Sequence, residues 1–113
     1  MATFAELKLF QVKPDRVAEF EALAAEMIPA QRERPGCEGL QCLKRFYTID
    51  GVEMGQPPRP LTKVVKCVKY YAWWAFNSKE DYAAANQWFF AEYAKPVAKL
   101  LIMPFEINLG DCL

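Results

Sequence analysis

The chain has 113 residues, 53% of them hydrophobic and 25% charged, with 14 basic residues against 14 acidic ones. That length suits one domain with a single core. The even charge balance gives no electrostatic case for nucleic acid or an anionic membrane surface, and no apolar run is long enough to span a bilayer. The expected partners are therefore small molecules or proteins, with no nucleic acid and no membrane.

Thr3 to Val12 reads as a strand with apolar residues on both alternating sets. Ala5, Leu7 and Leu9 fall on one face; Phe4, Phe10 and Val12 share the other with Glu6 and Lys8. Both faces should be covered, one by helices. The face carrying Glu6 and Lys8 is expected to meet a second copy of the chain, because so short a chain does not easily cover two faces of a sheet. Because the chain opens on this strand pattern, with no basic flank and apolar run of the leader type, the expected location is cytoplasmic.

Lys13-Pro14-Asp15 reads as a turn with Asp15 as the expected N-cap, and Val17, Phe20, Leu23, Ala24, Met27 and Ile28 then recur at helical spacing. Pro29 should kink the helix or loosen its last turn through Arg34, and Pro35-Gly36 ends it. Glu38 to Ile49 is the second expected strand, closed by Asp50-Gly51. The Pro-rich stretch 52–62 reads as an insertion within the domain, first of all a passive surface excursion, with a lid or an interface arm as the alternative because Pro57, Pro58 and Pro60 stiffen it.

Cys67 to Phe76 is dense in β-branched and aromatic residues and reads as the third strand, running directly into a helix through Asn77-Ser78 with Ser78 to Asp81 as a capping box. Trp73 and Trp74 must point to opposite faces of that strand. On the helix, Tyr82, Phe89, Tyr93, Val97 and Leu100 form the inward stripe, flanked by Ala85, Asn86 and Phe90, and Pro96 forces a kink or a restart. Phe105 to Leu109 is a short fourth strand at an edge or a barrel seam. The order β-α-β-β-α-β predicts an α+β, ferredoxin-like fold: a four-stranded antiparallel sheet with two helices on one face, in one domain covering residues 1–113. Two such sheets stacked face to face would cover each other, which predicts a homodimer.

Four cysteines, Cys37, Cys42, Cys67 and Cys112, form no C-x-x-C pair, and the chain contains no histidine. The expectation is reduced thiols, no zinc and no metal site. Lack of histidine also removes the side chain most used for proton transfer near neutral pH, and with it proximal-His haem ligation.

The opening strand Ala5 to Leu9, the R-x-x-P-G-C-x-G-L stretch at Arg32 to Leu40, the F-N-S-K-E-D-Y junction at Phe76 to Tyr82 and the late P-V-A-K-L-L together resemble the antibiotic biosynthesis monooxygenase-like superfamily of dimeric α/β barrels. That resemblance implies a homodimer, a ligand cavity between sheet and helices in each subunit, and cofactor-free oxidation of phenolic or quinol-type molecules. The places that hold haem in the haem-degrading branch are here Leu7, Ala85 and Ala94, which argues against haem. Many other members carry a Trp at the end of the third strand and a His on the second helix. Here those places hold Phe76 and Ala85, with Trp74 and Asn86 as neighbours that could stand in.

Leu7, Tyr71, Trp73, Trp74, Tyr82, Asn86, Phe89 and Tyr93 are the candidate substrate-binding residues, for a small aromatic ligand. No cofactor is expected. A catalytic residue is not assigned; Glu6, Lys69, Tyr70 and Tyr71 are the groups whose pKa would have to shift for one of them to act as a base. The alternative is a dimer of the same fold that binds a small molecule, or serves structurally, without chemistry.

Overall fold

The alternation of β1 (Phe4–Val12) sets the layering of the whole molecule. In the computed structural model, which describes residues 1–62 and 66–113, β1 is followed by a 3-10 turn (Pro14–Arg16), α1 (Val17–Arg32), β2 (Cys37–Lys44), β3 (Tyr47–Thr48) and β4 (Arg59–Pro60). The rest comprises β5 (Val68–Phe76), α2 (Lys79–Glu92), α3 (Ala94–Ala98) and β6 (Glu106–Asp111). Four strands form one antiparallel sheet in the order β2-β5-β1-β6, with β1 paired along its length to β5 and to β6 on its other side. This is the expected ferredoxin-like arrangement, with β6 at an edge.

Even-numbered residues of β1 and β5 face the helices. Phe10 packs on Phe20 of α1, and Trp74 and Phe76 pack on Tyr82 of α2. Trp74, Phe76, Phe89, Val12 and Val97 are essentially solvent-free, each contributing about 2 to 3 kcal/mol of transfer free energy. Odd-numbered residues face away from the helices. There Leu7 stands opposite Trp73 and Leu9 opposite Tyr71, and Leu7, Leu43 and Trp73 are 40%, 58% and 43% exposed.

This layering reverses one expectation. Glu6 and Lys8 lie on the helix-covered face, 1% and 0% exposed, and the uniformly apolar set is the one left bare. The physical reason is that the two charges satisfy each other and a tyrosine on α2, so they need no water.

Three local readings also change. Asp15 is not the cap of α1; it lies in the 3-10 turn, and the N-cap position is Arg16, without a side-chain cap. The second strand ends at Lys44 rather than Ile49, because the chain leaves the sheet there and Tyr47–Thr48 pairs with Arg59–Pro60 in a separate two-stranded arm. The Pro-rich insertion is thus half of a ladder. α1 runs through Pro29 to Arg32, and Arg32 then ties it to β2 by donating Nε and Nη2 to the Leu40 carbonyl.

The strand-to-helix junction follows its sequence. Ser78 Oγ accepts from the Asp81 N–H at 3.1 Å, a cap worth about 1 kcal/mol. Asp81 also explains Gly36: φ there is +78°, and a Cβ would sit 2.2 Å from the Asp81 carboxylate. α2 stops at Glu92 and α3 restarts at Ala94, so that Pro96 falls in a first turn, where its missing N–H leaves nothing unpaired.

Candidate functional site

A strand with two charged residues at i and i+2 on one face, both sealed under helices, concentrates its polar chemistry at one point. Lys8 Nζ donates to Glu6 Oε1 at 2.5 Å, and the Tyr82 hydroxyl donates to the other oxygen, Oε2. β1 supplies the ion pair and the first turn of α2 supplies the phenol. The walls are aromatic: Lys8 Nζ lies 3.9 Å from the ring centre of Phe89 and 5.1 Å from that of Trp74, within cation–π range.

Burial sets the electrostatics. Loss of water lowers the Lys8 pKa from its usual 10.5, and the Glu6 charge and hydrogen bond oppose that shift without cancelling it. Burial first, and the bond to Glu6 next, push the Tyr82 phenol well above its ordinary range. Tyr82 is therefore a fixed donor. Lys8 is an ammonium that gives up its proton more readily than a lysine in water.

A second carboxylate–phenol pair lies nearer the surface. The Tyr70 hydroxyl donates to Glu21 of α1, and Lys44 Nζ donates to the same oxygen at 2.6 Å. Burial and the Glu21 bond raise the Tyr70 pKa, which removes it as a base near neutrality. Glu21 is held below the usual carboxylate range by Lys44 first and Tyr70 second.

The eight candidate substrate residues do not converge. Trp74, Tyr82 and Phe89 meet around the Glu6–Lys8 pair. Leu7, Tyr71 and Trp73 are on odd positions of β1 and β5 and face the other way. Asn86 is partly buried on α2, and its Oδ1 is shut from solvent with no hydrogen-bond partner among the described residues. Tyr93 is partly buried against Trp88 and Phe89.

Sequence reasoning missed Lys8 as a site residue and the link from Glu6 to Tyr82. Two charges on the same face as Phe4, Phe10 and Val12 were the available signal. The cluster itself is shut from solvent, and the cavity between α1 and the sheet, lined by Phe10, Phe20, Met27, Gln31, Cys42 and Tyr70 among others, measures about 40 Å³. That is room for water-sized guests, whereas small-molecule pockets run from about 300 Å³ upward. Among the described residues no cluster of His, Cys, Asp and Glu could hold a metal ion, and all four cysteines are free thiols.

Sheet order, helix placement and interior define a ferredoxin-like α+β domain. A scan of family models finds none that matches the chain, and no curated protein matches it. Solved structures do. A provisionally assigned antibiotic biosynthesis monooxygenase from Nitrosomonas europaea superposes with a TM-score of 0.72 at 14% identity, covering 99% of this chain and 91% of that one. A variant of SnoaB, a cofactor-independent oxygenase from Streptomyces nogalater, gives 0.67 at 17% identity over 99% and 94%. A dimeric ferredoxin-like protein from an uncultured marine organism gives 0.60 at 8% identity over 100% and 95%. At these identities the likeness establishes the fold, as the resemblance in the sequence implied.

Proposed function

We propose that this protein is a cofactor-independent monooxygenase acting on a phenolic or quinol-type small molecule, with the Glu6–Lys8–Tyr82 cluster as its proton-handling centre. The observation that carries the reading is the cluster itself: a carboxylate and an ammonium, each 1% exposed or less, beneath aromatic rings. Hydrophobic residues of similar volume would fill that space at least as stably, so packing alone gives no reason for charges there.

Cofactor-free oxygenation needs the substrate to lose a proton in a water-poor place, so that the carbanion or phenolate can reduce dioxygen. Glu6 is the group to take that proton, with Lys8 and Tyr82 holding its two oxygens. For an activated methylene flanked by aromatic rings the balance is R₂CH₂ + O₂ → R₂C=O + H₂O. The carbon supplies all four electrons, one oxygen atom stays on carbon and the other leaves as water. The closed interior requires α1 and α2 to part from the sheet for the substrate to enter.

That same closed interior favours a second reading, a non-catalytic homodimer of the same fold that binds a small molecule or is structural. Oxygen uptake by the pure protein over a panel of hydroquinones and anthrone-like phenols separates the two. Turnover that falls at least about 100-fold in Glu6→Gln, with the fold intact, supports the enzyme. Uptake no faster than without protein across the panel assigns the second reading.

A further inference from the structure

At the end of the sheet remote from the α2 junction, the base of the arm and the starts and ends of two strands enclose a groove of about 440 Å³. The end of β2 brings Lys44 and Arg45, the start of β5 brings Val68 and Lys69, and the arm contributes Phe46 and Leu61. Backbone bonds set these walls. Arg45 N–H donates to the Lys69 carbonyl at 2.9 Å, and Leu61 N–H donates to the Phe46 carbonyl at 2.8 Å.

The charge here is one-sided. Lys44, Arg45, Lys66 and Lys69 line the groove and among the described residues no carboxylate does, in a chain whose net charge is zero. Lys44 is engaged by Glu21, but among the described residues Arg45, Lys66 and Lys69 have no carboxylate partner. Beside them is an apolar wall, with Phe46 47% exposed and its ring edge-on to Tyr47 at 5.4 Å. Uncompensated cations next to an exposed phenyl ring in a concave site complement a planar apolar body bearing an anionic group.

We propose that this groove is a second binding site, for a small aromatic carboxylate or another planar organic anion. It is separate from the Glu6–Lys8–Tyr82 cluster and shares no lining residue with it. Arg45 and Lys69 take the anionic group, and Phe46, Leu61 and Val68 take the ring. Arg45 is exposed and Lys69 partly so, and reversing their charge leaves the core untouched.

The test uses 2-naphthoate as the probe, with 2-naphthalenemethanol and inorganic phosphate as controls, by calorimetric titration and amide chemical-shift mapping. Naphthoate is expected to bind at least about 10-fold tighter than either control, to weaken severalfold from about 50 to about 500 mM salt, and to shift amides at Arg45, Phe46 and 67–69. Arg45→Glu with Lys69→Glu should remove binding, and Phe46→Ala should weaken it about 10-fold, both with unchanged melting temperature. Equal binding by the charge-reversed variant, shifts confined to other regions, or no naphthoate binding at millimolar concentration would each overturn the proposal. Oxygen uptake is not a readout of this experiment, so its failure leaves the enzyme reading where it stands.

Discussion

On the helix side of β1, Glu6 and Lys8 are sealed from water; on the opposite side Leu7, flanked by both in sequence, is 40% exposed. The two faces of one sheet thus invert the ordinary rule, with charge inside and apolar residues outside. The difference teaches what each face is for. A buried ion pair with a phenol donor is satisfied within one chain, whereas Leu7, Leu43 and Trp73 are left exposed by the described residues of one chain. We infer that the bare face is where a second copy docks, sheet to sheet, and three experiments test that contrast.

The largest effect is expected on the charged face. Lys8→Met leaves the Glu6 carboxylate buried without its cation and should cost about 3 to 5 kcal/mol at pH 7. The double variant Glu6→Leu with Lys8→Met should recover most of that loss, and it should abolish any oxygen uptake. Urea unfolding of both variants decides it; a Lys8→Met protein as stable as the parent would show that the pair carries no such weight. The pH dependence has a definite sign. Folded Lys8 releases its proton below 10.5 while the unfolded lysine still holds it, so within that window the unfolded chain binds more protons and stability rises with pH. Just below pH 10.5 this component should be present in the parent and absent from the variant. Above pH 10 Tyr82 acts oppositely, since the folded phenol keeps its proton and the unfolded one loses it.

The bare face should respond in assembly rather than in folding. The parent is expected to sediment at about twice its 13.0 kDa chain mass. Trp73→Glu should place a charge at the centre of that interface and return the mass to one chain, a loss of at least about 2 kcal/mol of association, or 30-fold in Kd. A dimer unaffected by Trp73→Glu would move the interface elsewhere, and a parent that is monomeric at micromolar concentration would remove the stacked-sheet barrel.

What could be read from the chain follows from how local each signal is. Ser78 and Asp81 are three residues apart, so the α2 cap was legible, as were the stripe of α1 and the opposite orientation of Trp73 and Trp74. The face of β1 that meets the helices was not. Alternation tells which residues share a face but not which face is covered, and the deciding contact joins Glu6 to Tyr82, 76 residues apart. Pooling Leu7, Tyr71 and Trp73 with Trp74, Tyr82 and Phe89 as one candidate site mixed the two faces for the same reason. The end of β2 at Lys44 was illegible because β-rich residues continue to Ile49; only pairing with Arg59–Pro60 draws Tyr47 and Thr48 out of the sheet.

The smallest expected effect concerns Asn86, which sits on the same helix as Tyr82 but outside its cluster. Its Oδ1 is closed off from solvent and accepts no hydrogen bond among the described residues, whereas the Tyr82 hydroxyl is satisfied by Glu6. An unpaired buried carbonyl oxygen costs about 1 to 3 kcal/mol, so Asn86→Leu should raise stability by about 1 kcal/mol, seen as a melting temperature higher by about 4 °C. We propose that a phenolic ligand's hydroxyl supplies the missing donor when α2 parts from the sheet. On that reading the same variant should bind a quinol about 10-fold more weakly while melting higher, an opposite movement of two readouts that a purely structural residue does not produce. A lower melting temperature with unchanged quinol affinity would instead assign Asn86 to helix packing, and the polar chemistry of the interior would then rest on Glu6, Lys8 and Tyr82 alone.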